Sequence, residues 1–96
     1  MVQIKWTKEA ENDLDGIMAY ISKSSLQYAK TFFENVHDTI ENLKLFPKIG
    51  RMVPESKNPE DRELILQKYR IIYRFIEKEE IILIMMIIHG SRLLKI

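Results

Sequence analysis

Tyr69-Arg70-Ile71-Ile72-Tyr73-Arg74-Phe75, then Lys78-Glu79, then the apolar run Ile81 to Ile88 closed by His89-Gly90-Ser91-Arg92, is the stretch from which the fold of this chain is read. Side chains alternate across a strand, so Tyr69, Ile71, Tyr73 and Phe75 share one face, and Arg70, Ile72 and Arg74 the other. The apolar run has no polar alternation, which predicts a central strand covered on both faces. Lys78-Glu79 supplies the tight turn between the two. Just upstream, Arg62 to Gln67 reads as a further strand, joined at Lys68 by a bend or bulge, since neither Gly nor Asn is present there.

Working back from the sheet, Lys48 to Asp61 carries Gly50, Pro54 and Pro59 among polar residues and reads as a loop, with a brief extended piece at Arg51-Met52-Val53. Before it lie two helical patterns. Ala10, Leu14, Ile17 and Ile21 form one apolar stripe behind a Thr7 N-cap. Ala29, Phe32, Phe33, Val36, Ile40 and Leu43 form the next, opened by a Ser24–Gln27 capping box and stopped by Pro47. His37 lies beside that second stripe and reads as a solvated helix residue. Val2, Ile4 and Trp6 alternate with polar residues, giving a short first strand able to join an edge of the sheet. The expected fold is therefore α+β, in the order β-α-α-β-β-β, with a helical hairpin packed on one face of a small, mainly antiparallel four-stranded sheet. All 96 residues form one domain. Two helices cover only one face, so the face bearing Arg70 and Ile72 is expected to be bare and to meet a partner.

Composition narrows the function classes. An apolar fraction of 46% and a charged fraction of 30% are globular values and exclude a disordered chain. With no cysteine there are neither disulfides nor thiolate metal sites. The amino terminus lacks the apolar core of a signal peptide, and the eight residues Ile81 to Ile88 are too few for a membrane helix, so a cytoplasmic protein is expected. Residues 1–46 carry five lysines against seven carboxylates, whereas residues 47–96 carry ten cations against seven carboxylates and all five arginines. A surplus of three in the second half is well short of a strong nucleic-acid footprint.

No phosphate-binding glycine loop, H-E-x-x-H or cysteine–histidine spacing occurs, and the two histidines fall on separate elements; neither a metal nor a cofactor is expected. The residues do suit metal-free cleavage of RNA by its own 2′-hydroxyl. Arg70 and Arg92 would stabilise the phosphorane charge, His89 would move the proton, and Glu63 would be a second proton carrier. The alternative is structural: Arg70 pairs with Glu63 or Glu77 across the sheet, and His89 merely ends a strand.

Taken together, Trp6-Thr7, Asp13-Leu14, Ile17, Tyr20-Ile21, Phe46-Pro47, Gly50-Arg51, Pro54-Glu55, Arg62-Glu63-Leu64, Tyr69-Arg70-Ile71-Ile72-Tyr73 and His89-Gly90-Ser91-Arg92 resemble, over almost the whole chain, the RelE/ParE toxin superfamily. The resemblance implies the toxin (plasmid stabilisation protein) of a type II toxin–antitoxin pair, held by a cognate antitoxin, with a homodimer or a heterotetramer as assemblies. RelE-like members are ribosome-dependent mRNA endoribonucleases (mRNA interferases), and in that branch Arg70, His89 and Arg92 would be catalytic. ParE-like members inhibit DNA gyrase, and there Arg51, Arg62, Arg70 and Arg92 would bind the target or a phosphate. No tyrosine follows Tyr73, and the loop offers only Lys48, Lys57 and Lys68, so the His-Gly-Ser-Arg ending looks more like the ParE-like branch. A third reading is an inactive relative that retains antitoxin binding.

Overall fold

A computed structural model describes residues 1–92 and 94. Strand β1 (Gln3–Trp6) leads into helices α1 (Lys8–Ser22) and α2 (Leu26–Glu41), the latter extended by a 3-10 turn at Asn42–Lys44. Strands β2 (Arg51–Met52), β3 (Asp61–Leu66), β4 (Tyr69–Ile76) and β5 (Ile81–His89) follow. The sheet order is β1-β5-β4-β3-β2, antiparallel except for the parallel pairing of β1 with β5. The expected α+β class and edge position of β1 are found, and the extended piece at Arg51 adds a fifth strand to the four expected.

Local chemistry sets the helix starts. The Thr7 side chain accepts from the Ala10 amide at 3.0 Å, so α1 opens where expected. Helix α2 is capped by Ser25, whose Oγ accepts from the Tyr28 amide at 3.0 Å, so the cap lies one residue beyond the expected Ser24–Gln27 box. The reason lies in the backbone: Ser24 is still in the turn that closes α1, whereas Ser25 is extended (φ −161°, ψ 116°), as an N-cap must be. At the β3–β4 join a tight turn replaces the expected bend. Gln67 takes a left-handed conformation (φ 55°), and its side chain accepts from the Tyr28 hydroxyl at 2.6 Å.

Ala10, Leu14, Ile21, Phe32, Val36, Ile40 and Leu43 of the helical segment bury against Ile71, Tyr73, Ile82, Ile84 and Ile87 of the sheet. The expected alternation in β4 holds, with Tyr69 and Phe75 packed at the rim of this core. Register slips by one residue between Ile72 and Tyr73, so Met85 bulges from β5. Beyond that bulge β1 has ended, and α1 satisfies the free strand: Thr7 Oγ1 donates to the Met85 carbonyl at 2.8 Å, and Asp13 accepts from the Ile87 amide at 2.9 Å.

The opposite face departs from the expectation of a bare platform. Residues 53–61 fold back over β3 and β4, with Val53 and Ile72 buried and Glu55 bonded to Arg70. On β5 the side chains of Ile81, Leu83, Met86 and Ile88 stay half-buried. No described helix is long and apolar enough to cross a membrane.

Candidate functional site

Arg70 is the centre of the covered face, and its residue surface is only 4% exposed. This corrects the expectation of an open guanidinium. The cause is cross-strand geometry: Glu63 on β3 stands diagonally opposite, and the returning loop delivers Glu55. Arg70 Nε donates to Glu63 Oε1 at 2.9 Å, and Nη2 also reaches that oxygen. Its Nη1 and Nη2 clamp Glu55 bidentately, at 2.8 and 2.7 Å. The remaining Nη1 hydrogen goes to the Arg92 carbonyl at 2.9 Å. A guanidinium has five N–H donors, and all five are thereby spent. Of the two pairings the sequence allows, Arg70 takes Glu63; Glu77 binds Lys48 instead, at 3.1 Å.

The network shifts charge states in the direction of tighter pairing. Hydrogen bonding to Arg70, helped by the Leu94 amide, lowers the Glu55 carboxyl from 4.5 to about 2. Bonding to Glu55 foremost raises Arg70, although burial opposes it. Glu63 is fully buried and also accepts from Arg51, whose side chain is 62% exposed. Two arginines thus face two carboxylates, so the cluster is electrically neutral and offers no cationic cradle. It is a clamp, which ties the 53–61 loop and the C-terminal segment to the central strand.

The other residues singled out from sequence do not gather around it. Tyr69 pairs with His89 and Arg70 with Ile88 across β4–β5, so His89 projects to the helix side of the sheet and Arg70 to the other. The His89 ring meets Tyr69 edge-on with centroids 5.8 Å apart. Its Nδ1 accepts from the Ser91 amide at 3.2 Å and lies 2.7 Å from Ser91 Oγ, which leaves the proton of the neutral ring on Nε2. His89 and Arg92 border a cleft of about 360 Å³ with Asn12, Asp13, Gly16 and Tyr20. Arg62 is pinned to the carbonyls of Lys48 and Gly50, at 3.2 and 2.8 Å. Arg51 and Arg92 are exposed. Glu63 carries an ion pair where a proton carrier was expected. Glu55 was missed as a member of the cluster; the one sequence signal was a carboxylate after Pro54, in a loop short enough to fold back on the following strands.

Among the described residues no group of three or more His, Asp or Glu converges so as to hold a metal ion. The family model for the ParE toxin of the type II toxin–antitoxin system parDE matches residues 4–94. No curated protein matches the sequence significantly. Solved structures that share the fold include three from toxin–antitoxin systems. A chromosomal ParDE system from P. aeruginosa aligns with TM-score 0.75 and 24% identity over 95% of this chain and 98% of that one. The intact RelBE toxin–antitoxin complex of E. coli gives 0.66 and 12%, over 96% and 100% of the two chains. The RelBE2 toxin–antitoxin complex of Mycobacterium tuberculosis gives 0.62 and 17%, over 92% and 96%. With 91 consecutive positions matched by that model and its helical hairpin set on one face of the sheet, the chain belongs to the ParE toxin family of type II toxin–antitoxin systems.

Proposed function

We propose that this toxin arrests growth in the cytoplasm by binding DNA gyrase, and that a cognate antitoxin, as in the solved complexes with its fold, holds it inactive. The observation that supports this reading is the state of Arg70. Stabilising a phosphorane needs donors free to meet developing charge, whereas every donor of Arg70 is already bound inside a neutral cluster. His89 lies on the other side of the sheet from Arg70, so these two groups do not converge on one reacting phosphate, and of the arginines considered for catalysis only exposed Arg92 shares a cleft with the imidazole. Exposed Arg92, together with Arg51, whose mostly exposed side chain also pairs with Glu63, would contact an acidic protein surface, with Arg62 at the margin and Arg70 buried in the clamp.

The test is a supercoiling assay with purified toxin and gyrase. Loss of supercoiling is expected, weakened by Arg92→Ala and by Arg51→Ala. Untouched supercoiling at high toxin excess, together with cutting of ribosome-bound mRNA, would replace this reading with the nuclease. Neither activity, with tight antitoxin binding retained, would leave an inactive relative.

A further inference from the structure

A second feature lies on the helical side of the molecule, away from the arginine cluster. Trp6, Phe33 and His37 come together from β1 and α2. The Trp6 and His37 rings stack with centroids 5.8 Å apart, and Phe33 approaches His37 to 4.5 Å. Phe33 falls in the apolar stripe of α2 by spacing, yet it is 42% exposed. These rings open onto a cleft of about 500 Å³, lined also by Leu14, Glu11 and Asp15. Glu11 and Asp15 are one turn apart on the same helix face, an arrangement that costs a little through mutual repulsion. Among the described residues no ion pair engages either of them.

Aromatic faces beside two unneutralised carboxylates are the chemical complement of a planar cation. A guanidinium stacks on ring faces and offers a fork of donors to carboxylates, whereas an ammonium is a compact point charge that prefers its water. Charge on a larger scale agrees, because residues 1–46, which contain all six lining positions, hold seven carboxylates against five lysines. Phe33 also lines the adjoining apolar groove formed by Met18, Ala19, Leu26 and Ala29 between the two helices. The two depressions therefore share a wall.

We propose that this cleft binds an arginine side chain of a polypeptide partner, with the guanidinium against Trp6 and Phe33 and its hydrogen bonds to Glu11 and Asp15, while apolar side chains of the same segment enter the neighbouring groove. The site is separate from the gyrase reading, and its test involves neither gyrase nor growth arrest. Trp6 is the only tryptophan of the chain, so its fluorescence reports on the cleft directly. The full chain would be titrated at constant ionic strength with N-acetyl-arginine amide, with the citrulline analogue as a neutral isostere, and with N-acetyl-lysine amide. A saturable change is expected with arginine, and binding weaker by about fivefold or more with citrulline. The Glu11→Gln/Asp15→Asn variant changes only exposed helix positions, and it should bring the arginine response down to that of citrulline while circular dichroism is unchanged. Phe33→Leu should weaken arginine binding in the same way. Equal binding of citrulline or lysine, a response that survives in the double variant, or no saturable change up to about 100 mM arginine amide would overturn the proposal.

Discussion

Glu63→Gln is the perturbation that best tests the arginine clamp. The Glu63 side chain is fully buried, and its carboxylate is shared by Arg70 and Arg51. Glutamine keeps the shape but removes the charge, and it sets an amide donor group against guanidinium donors. Breaking a buried ion pair by changing one partner costs about 3–5 kcal/mol, because the other charge is left uncompensated. Here Glu55 still clamps Arg70 bidentately, so the lower end, about 3 kcal/mol, is expected. In a domain of this size that is about 15 °C in Tm, and a large part of a total stability of about 5–15 kcal/mol. Urea unfolding followed by Trp6 fluorescence measures it. The companion variant Arg70→Met/Glu63→Leu removes both charges, and Glu55, being partly exposed, can turn to water; this double variant should be more stable than either single one. If Arg70 serves the clamp and not the target, growth arrest should survive in the folded double variant. A Glu63→Gln cost below about 1 kcal/mol, or lost growth arrest in a stable double variant, would refute the reasoning.

Acid should loosen the same clamp. The Glu55 carboxyl is lowered from 4.5 to about 2, so its contribution is complete above pH 4.5 and is lost as pH falls from there through 2; the protection of the Leu94 amide against exchange, relative to its intrinsic rate at each pH, should fall over that window, and Glu55→Gln should remove this dependence. Asp61 adds to the acid limb in the same sense, since burial raises its carboxyl but hydrogen bonds from Arg74 and Ser56 outweigh this and hold it low. Two glycines should respond oppositely to alanine. At Gly50 a Cβ would lie 2.6 Å from the Tyr73 hydroxyl and 2.8 Å from the Glu63 carbonyl, so Gly50→Ala should destabilise by about 2 kcal/mol in urea unfolding. At Gly16, in the exposed face of α1, a Cβ meets nothing within 4 Å, and Gly16→Ala should stabilise by about 0.5–1 kcal/mol. Thr7→Ala removes both the α1 cap and the bond to the Met85 carbonyl, with an expected loss of about 1–2 kcal/mol by thermal unfolding.

Periodicity was enough for the elements themselves. Steps of three and four from Ala10 to Ile21 and from Ala29 to Leu43, and the alternation from Tyr69 to Phe75, report directly which side of each element avoids water. The continuous run Ile81 to Ile88 likewise marked an interior strand, and β5 is flanked by β1 and β4. Small errors arose where neighbouring signals compete, as at Ser24 and Ser25, both good caps, of which Ser25 has the extended backbone that a cap requires while Ser24 lies in the turn closing α1.

What tertiary structure alone decided is the condition of the charged groups. Arg70, Glu63 and Glu55 are ordinary polar positions in sequence, 7 and 15 residues apart from the arginine. Only the β3–β4 register and the return of the loop make them one buried unit. The separation of Arg70 from His89 likewise follows from the β4–β5 register, which no local pattern encodes. The Trp6–Phe33–His37 cluster needs the helical hairpin docked against β1 before its rings can meet. Hydrophobic periodicity is a property of neighbours along the chain, and so it can be read from them; ion pairing and desolvation depend on distances across the fold, which exist only once the sheet has closed.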